Sequence, residues 1–407
     1  MKSLRILLVI NSPPLPFGKA DARWYYVLLQ GLIERGHHVT IFAVCNTLED
    51  IAKSQALFPA PEYDLRCYLI PKENKGLMAK IKTIQQPYSY VFSPELRQDL
   101  AAELAKPYDI LHLEQLWSGW LGLEHREKAI VNIHYLFSLD GTFEDHKSLE
   151  TRLRKFFTYR AEQKLLRAFP RIMTLSARLS KHIKAVNPQA QIYTVPLGID
   201  FSLYPFAEQK QINPQPIVGL IGSFNWTPSY TAAERLLTRL WPEIKRRVPH
   251  AKLQIVGLSA QDTLAKFTDI EDLEIYQDVP DTLPYFANMD VMLYAPISGS
   301  GMKVKVMEAF ALGTPVVTTY EGVEGIPAGD GVHAGICDDD QGLIERTVEL
   351  LNNSSLQQQR RVKARELLEE YCSPQVTVDQ IEGIYQEISD SQQSSFYQTT
   401  NNQVNLR

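Results

Sequence analysis

The sequence predicts two doubly wound α/β domains in tandem, and three observations carry the prediction. Short apolar runs rich in β-forming residues alternate with helical stretches, and the alternation occurs twice along the chain. A polar junction over residues 196–216, with Pro and Gly but no periodicity, separates the two series. No apolar run reaches the roughly 18 residues that a membrane helix needs.

In the first series the strands fall at 5–10, 39–44, 65–70, 110–113, 129–133, 172–175 and 192–195, with helical patterns at 24–34 and 149–167. These runs are short and uniformly apolar, as a sheet covered on both faces requires. The second series places strands at 217–221, 253–256, 273–275, 291–293, 316–318 and 335–337, and helices at 231–240, 303–312 and 340–351. Residues 1–10 read as a buried first strand and not as a leader, because a polar, Pro-rich stretch follows without a small-residue cleavage site. The domains expected are 1–197 and 217–375, joined by a linker at 198–216. A C-terminal helix at 376–390 and a frayed Gln/Ser/Asn-rich tail at 391–407 complete the chain.

Composition narrows the function classes. Of 407 residues, 44% are apolar and 22% charged, which excludes collagen and wholesale disorder. The net charge of −5 hides an asymmetry: residues 1–195 hold 26 basic and 19 acidic side chains, residues 196–407 hold 16 and 28. A basic first half suits anionic lipid, a phosphorylated acceptor or another phosphate-rich surface. Nucleic acid is not expected, since no recognised reading motif accompanies the charge. Arg152, Arg154, Lys155, Arg160, Lys164, Arg167 and Arg171 interleave with Leu153, Phe156, Phe157, Leu165 and Leu166. That stretch reads either as a face for an anionic bilayer or as a solvated basic face packed through its aromatics. Cys45, Cys67, Cys337 and Cys372 are too far apart for CxxC spacing, so the chain is expected in a reducing cytoplasm.

The densest chemistry lies at 296–319. A strand ends near Ala295, Gly299 and Gly301 permit close backbone approach, and a helix then starts with free N–H groups and its positive dipole end outward. Such a turn seats phosphate. Lys303 and Lys305 add charge, and their spacing on a helix turns one of them away. Glu308 follows Lys305 on the same face, where a carboxylate can accept hydrogen bonds from ribose hydroxyls. Taken alone, the segment also fits a strand–turn–helix whose lysines are merely solvated.

Three further signals are weaker. The loop at 11–21 follows the first strand, the ligand-facing position of an open α/β sheet. His134 directly follows the strand at 129–133, where it could accept a hydroxyl proton or bind a sugar, although a lone histidine is more often structural. Asp338, Asp339 and Asp340 could hold a divalent metal but fit better as a strand end and helix N-cap.

These residues resemble the retaining GT-B glycosyltransferases of family four. The likeness rests on RILLVI at 5–10, ERGHHVT at 34–40, ILHLEQL at 110–116, YTVPLGID at 193–200 and above all KVMEAFALGTPVV at 305–317. It spans about residues 4 to 388, and GSFNWTPS at 222–229 further resembles a bacterial branch of exopolysaccharide and cell-envelope sugar transfer. The resemblance implies two Rossmann-like domains facing across a cleft. The second holds a nucleoside-diphosphate sugar such as a UDP- or GDP-sugar, and the first a saccharide, lipid-linked or other hydroxyl acceptor. It implies a hexosyltransferase that needs neither metal nor cofactor; together with the cysteine spacing and the basic first half, the expectation is a cytoplasmic protein peripheral to the inner face of the plasma membrane.

Residue by residue, the resemblance assigns Gly299, Ser300, Gly301, Met302, Ser223 and Glu308 to the donor, with Glu308 on the ribose. Lys303 or Lys305 serves the diphosphate, His134 the sugar or acceptor, and Gly18 with Lys19 an acceptor/donor loop. Ser300 stands where the family's first glutamate would fall, and the usual Arg and Lys are missing from 222–230. Two rivals remain: a metal-dependent transferase built on Asp338–Asp340, and a non-catalytic nucleotide- or sugar-binding module.

Overall fold

The computed structural model describes residues 2–61, 63–72, 76, 82–140, 149–209, 213–267 and 269–404. The chain divides into two compact units, Met1–Ile199 with Pro374–Arg407, and Asp200–Ser373.

The first unit holds seven parallel strands: β1 Arg5–Ile10, β2 His38–Cys45, β3 Asp64–Leu69, β4 Ile110–Glu114, β5 Ala129–Ile133, β6 Arg171–Thr174 and β7 Gln191–Thr194. Their order is β3-β2-β1-β4-β5-β6-β7. Parallel neighbours need crossovers, and the helices that supply them cover both faces, so β4 and β5 are buried at every residue. The order reverses between β1 and β4, which opens the ligand-facing crevice at their carboxyl ends. Register there pairs Leu8 with His112 and Glu114 with Asn132.

The second unit repeats the scheme with β8 Ile217–Ile221, β9 Lys252–Gly257, β10 Leu273–Gln277, β11 Val291–Tyr294, β12 Val316–Thr318 and β13 Gly335–Ile336. Its order, β10-β9-β8-β11-β12-β13, reverses between β8 and β11. At this edge the backbones crowd together: a Cβ on Gly257, where φ is +145°, would lie 1.8 Å from the Gly222 carbonyl oxygen. Only glycine fits there. The helix expected at 231–240 starts earlier, at Thr227, because Pro228 suits a first helical turn.

Every predicted strand is present. The C-terminal helix differs from expectation: it runs Pro374–Val404, past Asp390. No Gly or Pro interrupts residues 391–404, and Gln and Ser are acceptable helix residues. Val378, Ile381, Tyr385 and Ile388 are buried in the first unit, and Glu382 lies 3.2 Å from His37. The basic helix Leu149–Ala168 buries Leu165 and Leu166 but leaves Leu153, Phe156 and Phe157 exposed. Among the described residues, no helix is long and apolar enough to cross a membrane.

Candidate active site

The first unit gathers polar side chains at the carboxyl ends of β1, β4 and β5. Alternation along a strand puts His112 and Glu114 of β4 on one face, and likewise Asn132 and His134 at the end of β5. Glu114 is fully buried. Its carboxylate accepts from Trp24 Nε1 at 3.2 Å and from Asn132 Nδ2 at 3.2 Å to each oxygen. His134 Nε2 lies 2.7 Å from Oε2, and His112 Nε2 lies 3.1 Å from Oε1. Burial alone would raise this carboxyl, but His134 and His112 overcome that and hold it well below the usual carboxylate range. Glu114 is therefore a buried anion, stabilised by the donors around it.

Outside this core, Ser12 donates to Asp21 at 2.6 Å, and Gln115 reaches Asp21 and Tyr25 at 3.5 Å. Gln115 adopts φ 64°, ψ 150°, a conformation that non-glycine residues rarely hold. Burial, reinforced by Glu114 and Asp21, pushes the Tyr25 phenol well above its ordinary value, so it stays a neutral donor.

The second unit presents a different arrangement at its own reversal point. Gly299 and Gly301 hold φ of +136° and +74°, turning the chain between β11 and the helix Val304–Leu312. Lys303 is the N-cap of that helix. Its ammonium bends back to the carbonyls of Gly301 at 2.6 Å and Gly299 at 3.4 Å, with Glu324 3.9 Å away. Lys305 extends beneath the loop that follows β8: Nζ donates to Ser229 Oγ at 2.7 Å and lies 4.4 Å from the Tyr294 ring centroid. A Cβ on Gly222 would come within 2.8 Å of that nitrogen. Burial, followed by the neighbouring Lys303, lowers the Lys305 ammonium to about 7. Among the described residues no carboxylate pairs with Lys305. Glu308, one helical turn on, is buried and accepts from Tyr204 Oη at 3.3 Å.

The structure thus brings Gly299, Ser300, Gly301, Met302, Lys303, Lys305 and Glu308 together at one turn, with Ser223 exposed on the adjoining loop. One expectation needs correction. Neither lysine points away, because Lys303 precedes the helix as its cap and the helical angle between the two does not apply. In the first unit His134 lies in the polar cluster, whereas Gly18 and Lys19 are exposed; the loop enters the cluster through Ser12 and Asp21. The acidic run is occupied otherwise: Asp339 caps the helix Asp340–Leu351, and Asp340 pairs with Arg235 and Arg239 at 2.8 and 2.5 Å.

Sequence reasoning missed Glu114, His112 and Asn132 as site members. The available signal was a pair of polar residues at alternate positions on two otherwise apolar strands.

Comparison with known proteins agrees with this architecture. Residues 22–203 match the description Glycosyltransferase Family 4, and residues 215–353 match Glycosyl transferases group 1. No curated protein sequence matches the chain. Among solved structures, sucrose-phosphate synthase from Thermosynechococcus elongatus superposes with a TM-score of 0.69 at 15% identity, covering 95% of this chain and 99% of that one. Anabaena HepE in complex with UDP and glucose gives 0.64 at 12%, covering 94% and 100%. WaaG, a glycosyltransferase involved in lipopolysaccharide biosynthesis, gives 0.64 at 15%, covering 92% and 98%. With both its units matched to glycosyltransferase domains on a GT-B fold, the chain is a glycosyltransferase of the family-four type.

Proposed function

We propose that this protein moves a sugar from a nucleoside diphosphate bound by the second unit to a hydroxyl acceptor bound by the first, with retention of anomeric configuration. The observation that carries the reading is Lys305, a half-buried cation held by a hydroxyl and an aromatic face and paired with no carboxylate among the described residues. A diphosphate entering above Gly222 would supply the missing negative charge. The helix Val304–Leu312 begins beside it, so its free N–H groups and dipole favour the same anion. Glu308 would then hold ribose hydroxyls.

Catalysis follows from where charge builds. As the bond between the anomeric carbon and the diphosphate oxygen breaks, negative charge accumulates on the leaving group, and a preorganised cation stabilises it without metal. In this reading no enzyme carboxylate serves as a nucleophile: the acceptor oxygen bonds to the same face and its proton passes to the departing phosphate. His134 orients the sugar or the acceptor.

The HepE complex with UDP and glucose supports a uridine donor, and the WaaG likeness supports a saccharide or lipid-linked acceptor in cell-envelope or exopolysaccharide synthesis. Exposed Leu153, Phe156 and Phe157 among basic residues support peripheral contact with an anionic membrane at its cytoplasmic face.

The test is turnover of a UDP- and GDP-sugar panel with candidate acceptors in EDTA, with product anomers assigned by NMR. Retained configuration without metal is the expected result. Thermal stabilisation by donors without turnover would favour the binding-module reading, to which Ser300 and the missing basic pair lend weight.

A further inference from the structure

The buried anion of the first unit has more partners than a structural carboxylate needs, and they form a directed chain. Tyr385, on the helix Pro374–Val404, makes a short hydrogen bond with His112 Nδ1. Burial and the Glu114 charge keep this phenol well above its ordinary range, so it is a neutral donor and His112 Nδ1 is the acceptor. The His112 proton therefore resides on Nε2, 3.1 Å from Glu114 Oε1 in a close charge–dipole contact that lies off the line of a hydrogen bond. On the other side of the carboxylate, His134 Nε2 lies 2.7 Å from Oε2. A lone pair cannot face an ionised carboxylate at that distance, so His134 also carries its proton on Nε2. Asn132 Nδ2 lies 3.3 Å from the same nitrogen but is already engaged by both Glu114 oxygens.

We infer that Glu114, held by Trp24 and Asn132 and flanked by the His112–Tyr385 pair, is a positioning residue that fixes the tautomer of His134 and so presents Nδ1 as a hydrogen-bond acceptor for a substrate hydroxyl. Nδ1 makes no hydrogen bond among the described residues, and the His134 side chain is 10% exposed. A hydroxyl arriving there donates to nitrogen and leaves its oxygen lone pairs free, the orientation an attacking or anchored sugar hydroxyl needs. The inference rests on the reading of His134 as a sugar or acceptor contact. It also gives the C-terminal helix a part in the site through a single phenol.

The tautomer can be read without turnover. In full-length protein with ¹⁵N-labelled histidine, long-range ¹H–¹⁵N spectra are expected to show neutral His134 as one species protonated at Nε2. Protonation at Nδ1 would overturn the inference whether or not the protein transfers sugar. Absence of turnover with the expected tautomer would instead count against the functional reading alone. Glu114→Gln sets an amide between two histidines that both donate, and is expected to mix the tautomers and lower kcat by about tenfold or more. Donor KM should stay within about twofold, since the diphosphate is held elsewhere, and Glu114→Asp should restore part of kcat. An unchanged kcat with a single tautomer would refute the assignment. Should Glu114→Gln fail to fold, Tyr385→Phe, which removes one oxygen and frees His112 Nδ1, is expected to lower kcat by a smaller factor. An unaltered kcat in that variant would break the chain at its first link.

Discussion

The six strands of the second unit follow the order of the first six strands of the first, and both units place polar chemistry at the same topological position, yet they manage charge in opposite ways. In the first, the Glu114 carboxylate is surrounded by Trp24, Asn132, His112 and His134, and its charge is matched inside the protein. In the second, Lys305 is half-buried against one hydroxyl and one aromatic ring, and no carboxylate among the described residues matches its charge. A satisfied buried charge holds residues in position. An unsatisfied one costs stability and favours a ligand of opposite sign. On the proposed function, the contrast separates a unit that orients from a unit that binds an anion.

The largest expected effect tests the first half of that contrast. Glu114→Leu removes the anion and leaves the donors of Trp24, Asn132 and His134 without their acceptor, so unfolding of the first unit in denaturant should be easier by about 3–5 kcal/mol. The matching change in the second unit, Lys305→Met, should leave stability unchanged or raise it, because the substitution removes a desolvated cation and keeps the stem. Its effect belongs to function instead. Transfer kcat/KM should fall by about 10²–10³-fold, the magnitude expected when one preorganised charge stabiliser of a leaving group is lost. If Lys305→Met melts well below the parent, the lysine is a structural partner and the contrast fails.

How far the sequence could be read follows the same division. Strand positions were legible because apolar runs of four to eight residues are local signals, and the glycine turn at 299–301 with its helix is contiguous. The surroundings of Glu114 were not legible. Its partners come from Trp24 to His134, and Tyr385, at the far end of the chain, completes the network. A glutamate within an apolar strand carries no mark of what will neutralise it. The choice between Lys303 and Lys305 had a similar cause: Lys303 is withdrawn by carbonyls of its own turn, whereas Lys305 is drawn to Ser229, 76 residues away. Periodicity gives the direction of a side chain on an ideal helix and says nothing about a cap residue.

A smaller effect sharpens the second half of the contrast. Glu308 is buried yet bonded to Tyr204 Oη, a neutral partner at 3.3 Å that ribose hydroxyls could supplement. Glu308→Gln keeps the shape and loses the charge, so donor affinity measured by calorimetry should weaken by about tenfold, the scale of one charge-assisted hydrogen bond. The melting temperature should not change. Undiminished donor affinity would remove Glu308 from the site.

The smallest effect is the most specific, because it follows the proton on Lys305 itself. Burial and Lys303 hold that ammonium to about 7, so at pH 6 the site is mostly cationic and at pH 8.5 mostly neutral. An intact nucleotide sugar has no titrating proton in this range, and its diphosphate favours the charged lysine. Binding at pH 8.5 should therefore take up close to one proton, and binding at pH 6 close to none. Calorimetry in two buffers of different ionisation enthalpy reads the uptake directly. The same coupling makes donor affinity decline as pH rises above 7, by no more than about tenfold per unit. Lys305→Met should abolish both the uptake and the pH dependence. Uptake that persists in that variant would move the titrating cation elsewhere, and the second unit would then have no unpartnered charge to set against Glu114.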